Sequence, residues 1–335
     1  MSGLSADAAV GETRAVIHFG ALVPVGRRME LAGLPDVRDK WIKLVDTACH
    51  AEALGYDSVW VYDHLHNVPR PAGEAVFEST SALAALSQVT SRVRLGQMVG
   101  NNLLRSPALV AKAIATLDVM SAGRVEWGIG TGWERTELEA YGYDFPSARE
   151  RVERLREAIA VARVLWTRTE STFDGTYYRL AGAQCDPKPL QRPHPPVWIG
   201  GKGEQLTLRV VAEHADYSNF GGSPPEWAHT SDVLAAHCEA VGREFADITR
   251  TWSHDAFVRA TDSDVRAGDR RGLWGESFER WRDENLVGTP AEVIDKIGCY
   301  SDLGCRGFVI WCADYPSWET LERFALDVMP AFRSG

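Results

Sequence analysis

The sequence predicts an α/β protein folded as a single (β/α)8 barrel, a TIM barrel, with insertions, over residues 1–335. Apolar, strand-like runs alternate with amphipathic helical segments along the chain, and the number of strand–helix units approaches eight. Several of the strand-like runs end in glycine or polar residues, at the edge where parallel α/β folds bind their ligands. A length of 335 residues suits one such barrel.

The clearest strand–helix–strand unit lies near the middle of the first half of the chain. Val93–Val99 and Val125–Ile129 are short apolar runs typical of buried parallel strands. Between them, Ser106 is a suitable N-cap and Pro107 a suitable first residue for a helix that Gly123 ends. A helix of this length provides the crossover that a parallel pair of strands requires.

The same rhythm predicts the remaining elements. Further strands are expected at Val16–Ala21, Ser58–Tyr62, Val197–Ile199, Tyr217–Phe220, Thr251–Arg259 and Phe308–Trp311. Helices are expected at Val37–Leu54, Ser79–Thr90, Ala148–Trp166, Pro224–Val241 and Trp318–Met329, with others ending at His214 and beginning at the Thr289–Glu292 capping box. Asp174-Gly175 predicts a two-residue hairpin turn within an insertion.

Composition limits the classes of partner. The formal net charge is −10 and no polybasic run is present, which argues against nucleic-acid or membrane partners. Residues 1–15 lack the features of a signal peptide and are expected to form a flexible tail. The six cysteines show no Cys-x-x-Cys spacing, which suits reduced thiols and a cytoplasmic protein.

Two stretches offer candidate chemistry. Asp63, His64 and His66 follow a predicted strand, and an imidazole there could act as a general acid or base, or serve only as a structural hydrogen-bonding group. The glycine-rich turn from Gly200 to Gly203 is predicted to hold a phosphate group on backbone N–H groups at the start of a helix.

Two other functional classes fit parts of the sequence. His64 and His66 could chelate a divalent metal in a barrel hydrolase, which would need ligands on later strands, for which His214, His254 and Asp314 are the candidates. A cofactor-binding protein without catalytic activity is a third possibility that fold alone does not exclude.

From residue 17 to 332 the chain resembles the luciferase-like monooxygenase superfamily, in particular its branch that uses coenzyme F-420, an 8-hydroxy-5-deazaflavin. The resemblance is carried by the order and spacing of Asp63-His64, LGQMVGNNLLRSP, GRVEWGIGTGW, DPKPLQRPHPPVWIGGKGE and GTPAEVIDKI with GFVIW. Residues 218–286 match least, and in this family that region shapes the substrate pocket.

The resemblance implies a small-molecule oxidoreductase, acting as a homodimer, with F-420 as cofactor, or with FMN and oxygen as the alternative. It implies that His64 manages a proton beside the hydride and that a non-proline cis peptide lies near Met98-Val99. Trp133 replaces the acidic residue of the family's sugar-phosphate dehydrogenases, so a sugar phosphate is not predicted as substrate. The implied cofactor-binding residues are Asp63, Met98, Val99, Asn102, Gly130, Thr131, Gly132, Trp133, Gly200, Gly201, Lys202 and Gly203.

Overall fold

Eight parallel strands close into a ring in a computed structural model that describes residues 16–68, 71–268 and 277–333. The strands of the ring follow one another in chain order, and the last, Gly307–Cys312, pairs with the first, His18–Leu22, to close it. The predicted TIM barrel is therefore confirmed. The predicted tail, residues 1–15, lies outside the described residues.

The strands are β1 (His18–Leu22), β2 (Ser58–Val61), β3 (Arg94–Gln97), β4 (Gly100–Asn101), β5 (Val125–Gly130), β6 (Ser171–Asp174), β7 (Arg179–Ala183), β8 (Val197–Gly200), β9 (Tyr217–Asn219), β10 (Thr249–Val258), β11 (Leu286–Gly288) and β12 (Gly307–Cys312). The ring order is β1, β2, β3, β5, β8, β9, β10 and β12. Two short strands, β4 and β11, extend this sheet in parallel beside β5 and β10, and β6 and β7 form a separate antiparallel hairpin.

Helices fill the connections between the strands of the barrel. They are α1 (Val37–Ala53), α2 (Ser79–Val89), α3 (Pro107–Met120), α4 (Arg135–Ala140), α5 (Ala148–Thr167), α6 (Thr207–His214), α7 (Pro224–Val241), α8 (Asp262–Ala267), α9 (Phe278–Glu284), α10 (Pro290–Asp302), α11 (Glu319–Arg323) and α12 (Pro330–Arg333). No helix within the described ranges is long and apolar enough to cross a membrane.

The helices form where the sequence offers caps and an apolar face. Helix α5 begins after Ser147, whose side chain accepts a hydrogen bond from the Glu150 N–H, and it buries Leu155, Ile159 and Trp166 against the barrel. At α10 the predicted capping box of Thr289 and Glu292 is present.

Three local predictions need correction. Ser106 precedes α3, but its side chain makes no capping bond. The predicted helix Trp318–Met329 is α11 followed by a π-helical segment at Phe324–Val328. The hairpin turn at Asp174-Gly175 spans four residues rather than two, because the Glu157 carboxylate accepts hydrogen bonds from the N–H groups of three of them, Thr176, Tyr177 and Tyr178.

The strand predicted at Val93–Val99 is shorter than expected and is interrupted. Strand β3 ends at Gln97, the Met98–Val99 peptide bond is cis, and pairing resumes only in β4. Gly96 within β3 makes room for Trp60, since a Cβ at Gly96 would lie 2.3 Å from the Trp60 ring. The apolar run is thus divided at the barrel edge where the candidate site lies.

Candidate active site

A cavity of about 700 Å³ opens at the carboxyl ends of the barrel strands. Most of the residues predicted to bind the cofactor line it, namely Asp63, Met98, Val99, Gly130, Gly132, Trp133, Gly200, Gly201 and Lys202, together with His64. Asn102 instead lines a neighbouring cavity of about 260 Å³, which shares Asp63, Gly100 and Asn101 with the first. Neither cavity is lined by Thr131 or Gly203.

His64 follows strand β2 and is held by a buried carboxylate that the sequence did not single out. Its Nδ1 lies 3.0 Å from Glu137 Oε2, while Glu137 Oε1 accepts hydrogen bonds from the backbone N–H groups of Leu65 (2.6 Å) and His66 (3.2 Å). Glu137 is fully buried in helix α4. Both carboxylate oxygens of Glu137 therefore hold His64 and the backbone that follows it in place.

The charge states of this pair follow from burial and from their hydrogen bond. Burial lowers the pKa of His64 below its usual range, although the bond to Glu137 acts in the opposite direction. Burial acts to raise the pKa of Glu137, but the hydrogen bonds from His64 and from the Leu65 and His66 N–H groups outweigh it, and that pKa is lowered. Near neutral pH the pair is a neutral imidazole beside an ionised carboxylate.

This arrangement fixes the tautomer of His64. An ionised carboxylate only accepts hydrogen bonds, so Nδ1 of His64 carries the proton and donates it to Glu137. The other nitrogen, Nε2, then bears a lone pair, and no residue in the described ranges bonds to it. Trp133 packs edge-on against the imidazole with ring centroids 5.8 Å apart, at the cavity wall. His64 can therefore serve as a base in the cavity.

Asp63 is buried, and protein groups occupy both of its oxygens. Arg105 pairs with it at 2.8 and 3.0 Å, the Ser79 hydroxyl donates to Oδ1 at 2.6 Å, and the Asn101 N–H donates to Oδ2 at 2.8 Å. Asp63 lines the cavity, and these four bonds join the segment after β2 to β4, to α2 and to Arg105, which lies between β4 and α3. We therefore interpret Asp63 as a residue that holds the wall of the cavity in place.

The cis peptide lies where the family resemblance implied one, at Met98–Val99. Glycines from the neighbouring strands leave space for Val99, since a Cβ on Gly130 would lie 2.7 Å from Val99 Cγ2 and one on Gly200 would lie 3.0 Å from it. The glycines that end β5 and β8 thus accommodate Val99, and together these residues form one wall of the cavity.

The glycine-rich turn after β8 differs in detail from the prediction. The Gly201 N–H is not free for an anion, because it donates to the Asn219 carbonyl of β9 at 3.0 Å. Helix α6 begins only at Thr207, not directly after the glycines. Backbone N–H groups of residues 202–206 have no acceptor among the described residues, so the donors that are free to meet an anion lie slightly later in the chain than predicted.

Two arginines that follow β1 also line the cavity, and the sequence did not identify them as site residues. Arg28 forms an ion pair with Asp255 of β10 at 2.5 Å, and the Trp281 indole donates to the same carboxylate at 3.0 Å. The Arg27 guanidinium lies over the Tyr62 ring, with its Cζ 4.5 Å from the ring centroid. Both arginines lie in the loop after a barrel strand, which is the one signal that could have indicated them.

The geometry gives no support to a metal centre. His64 Nδ1 is bound to Glu137, and His66 Nδ1 lies 2.8 Å from the Asn67 carbonyl oxygen. Within residues 16–68, 71–268 and 277–333, no three potential metal ligands of the His, Cys, Asp and Glu types come together. His66 does not line the cavity.

A model of the luciferase-like monooxygenase family matches residues 17–280. An F-420-dependent glucose-6-phosphate dehydrogenase of Kineococcus radiotolerans is 43% identical over 325 residues, which cover 87% of this chain and 93% of that protein. An enzyme of the same description from Intrasporangium calvum is 33% identical over 320 residues, covering 87% of this chain and 95% of its own.

Among solved structures, the fold is similar to that of an F-420-dependent secondary alcohol dehydrogenase in complex with an F-420–acetone adduct. The TM-score is 0.80, with 20% sequence identity, and the match covers 95% of this chain and 100% of that one. At this level of identity the likeness concerns the fold alone.

Proposed function

Because the chain belongs to the luciferase-like monooxygenase family, we propose that it is an oxidoreductase that transfers hydride between coenzyme F-420 and a small organic substrate. Its relatives from Kineococcus and Intrasporangium are named as F-420-dependent dehydrogenases, and each match covers 87% of this chain. The single observation that carries the proposal is the His64–Glu137 pair at the wall of the strand-end cavity, because it supplies a base where a hydride donor or acceptor would lie.

The cavity has features that fit this cofactor. The unpaired N–H groups of residues 202–206 and the Lys202 side chain suit the phosphate group, since both favour an anion. Met98, Val99 and Gly130 would contact the planar ring of the cofactor at the ends of the strands. Asn102, Thr131 and Gly203, which do not line this cavity, stay predictions as cofactor ligands.

When bound, F-420 supplies the hydride chemistry and the protein manages the proton. In the oxidative direction, Nε2 of His64 takes the hydroxyl proton of the substrate as the hydride leaves the adjacent carbon, giving a carbonyl product and a protonated imidazole. The carboxylate of Glu137 stabilises the imidazolium that forms and keeps the ring oriented. In the reductive direction the same imidazolium returns the proton. Glu137 is thus a positioning residue that acts through His64.

The test compares two histidine variants. His64→Ala should retain F-420 affinity and lower turnover by roughly a hundredfold or more, the usual range for removing a general base. His66→Ala is the matched control, since His66 lies two residues away and does not line the cavity, and it should retain activity. Substrates to screen anaerobically with F-420 include secondary alcohols, hydroxy acids and glucose 6-phosphate. Equal turnover by His64→Ala and the wild type, or turnover only with reduced FMN and oxygen, would overturn the proposal.

We also propose that the protein is a homodimer and that it is cytoplasmic, as expected from the sequence. Size-exclusion chromatography with light scattering tests the first, since a dimer would have twice the 37.0 kDa mass of the chain.

A further inference from the structure

The acidic side chains that line the strand-end cavity already have partners. Asp63 is paired with Arg105, Asp255 with Arg28, and Glu284 with Arg280. A fourth acid, Glu134, caps its own helix by accepting hydrogen bonds from the backbone and hydroxyl of Thr136. None of these carboxylates neutralises Arg27.

Arg27 is different from every other charged group of the cavity except Lys202, which belongs to the glycine-rich turn. Arg27 forms no ion pair and no side-chain hydrogen bond with a residue of the described ranges, whereas the terminal nitrogens of Arg28 bind Asp255. Two aromatic rings flank the guanidinium, with Cζ lying 4.5 Å from the Tyr62 centroid and 6.0 Å from that of Trp133. The faces of these rings attract the cation but do not accept the hydrogen bonds that its in-plane N–H groups can donate.

Arg28, the adjacent arginine, differs from Arg27 because it has a carboxylate partner, Asp255. Burial acts to lower the pKa of Arg28, but the ion pair with Asp255 outweighs it, and that pKa is raised. Burial lowers the pKa of Arg27, and the more distant charges of Glu30 and Glu137, neither of which forms an ion pair with it, act in the opposite direction without outweighing burial. A partly buried guanidinium without an anionic partner is costly, and such a group persists where a ligand completes it.

We propose that Arg27 binds a carboxylate of the substrate, so that the enzyme acts on small organic acids. The inference rests on the proposed function for the identity of the reaction, but not for the binding of the anion. A guanidinium presents paired N–H donors that match the two oxygens of a carboxylate. Because Arg28 is already neutralised by Asp255, only one positive charge is available here, which suits a monoanionic carboxylate better than a dianionic phosphate group.

The position of Arg27 connects this anion site to the proposed base. Trp133 contacts both groups, lying edge-on to His64 at 5.8 Å between centroids and 6.0 Å from the Arg27 guanidinium carbon. A substrate whose carboxylate is bound by Arg27 is therefore held on the side of the cavity that carries His64. Arg27 would determine both which molecules enter and how they are oriented.

The binding test uses benzoate and benzamide, which have nearly the same shape but differ in charge, and it is run by calorimetry with F-420-saturated protein and with cofactor-free protein. We expect wild-type protein to bind benzoate at least about tenfold more tightly than benzamide, the effect of one charge-assisted pair. Arg27→Gln should remove that preference while leaving benzamide affinity unchanged. Arg27→Lys should retain part of it, and Arg135→Gln, which removes an exposed arginine that does not line the cavity, should retain all of it.

Three results would overturn the inference: equal binding of the two compounds by the wild type, undetectable binding of benzoate, or a preference that survives in Arg27→Gln. Tighter binding of phenyl phosphate than of benzoate would also overturn it, because the recognised anion would then be a phosphate. Thermal melting and F-420 titration of each variant confirm that it is folded. If F-420 fails to bind while benzoate binding depends on Arg27, the proposed cofactor is wrong and the anion site stands.

Discussion

Replacing Glu137 with glutamine tests how the protein activates His64. Glutamine has the size of glutamate and can still accept hydrogen bonds from the Leu65 and His66 N–H groups through its amide oxygen. Its amide nitrogen would then face Nδ1 of His64, 3.0 Å away in the wild type, and it can only donate. His64 would have to accept at Nδ1 and carry its proton on Nε2, where the base is needed.

The expected magnitude follows from this change of tautomer. General-base catalysis contributes about 10²–10⁴ to a rate, and a base held in the wrong tautomer loses most of that contribution. We therefore expect turnover by Glu137→Gln to fall by roughly a hundredfold to a thousandfold with F-420 affinity nearly unchanged. A double variant with His64→Ala should be no slower than His64→Ala alone, because the two residues act as one unit.

The pH profile gives a readout that a purely structural role would not change. The pKa of His64 is lowered in the folded protein, so the neutral base predominates above it, and oxidative turnover should decline as pH falls through a value below about 6.5. Because the Glu137 hydrogen bond acts to raise that pKa, its removal should shift the residual acid limb to still lower pH. Turnover is followed by F-420 absorbance under anaerobic conditions.

Glu134→Gln is the matched control, since Glu134 lies three residues earlier, lines the cavity and does not bond to His64. It should keep turnover and the wild-type pH profile. Turnover of Glu137→Gln within about threefold of the wild type, or losses that add in the double variant, would refute the assignment of Glu137 as the residue that positions the base.

Three further outcomes are expected. Asp63→Asn should lower the free energy of unfolding by about 1–3 kcal/mol in urea melts, because Arg105 loses its buried carboxylate partner and keeps only the more exposed Glu78; an unchanged free energy of unfolding would contradict this. Lys202→Ala should weaken F-420 binding about threefold to tenfold at low ionic strength and by less at high salt, so a salt-independent loss would count against a charge effect. Burial and then the Arg163 charge lower the pKa of His214 to about 4, so stability should decrease by about 3 kcal/mol as pH falls from 6.5 to 4, and His214→Gln should flatten that slope.

The barrel could be predicted because short stretches of sequence specify its strands and helices. The barrel strands are mostly short apolar runs, several of which end in glycine or a polar residue, and the major helices carry an apolar face, as α5 does with Leu155 and Ile159. The interruption of the strand at Met98–Val99 was accessible only through the family resemblance. Apolar periodicity carries no signal for a cis peptide bond, and the run reads as a continuous strand.

The site could be predicted only in part. His64 and Lys202 follow strands and so reach the cavity, but Glu137 sits in a six-residue helix and meets a histidine 73 residues earlier in the chain. Nothing in the local sequence distinguishes it from neighbouring acids such as Glu134 and Glu139. Gly201 illustrates the opposite error, because its N–H looks available in the sequence yet pairs with β9 once the barrel closes.

A paired titration of the purified protein with F-420 and with FMN, read by quenching of cofactor fluorescence, tests most directly whether this is a deazaflavin enzyme. We expect saturable binding of F-420 with a dissociation constant at least about tenfold below that for FMN. Lys202→Ala should weaken the F-420 curve and leave the shape of the folded protein's circular dichroism spectrum unchanged. Tight binding of FMN with no measurable binding of F-420 would show that F-420 is not the cofactor and make the protein a flavin enzyme of the same fold.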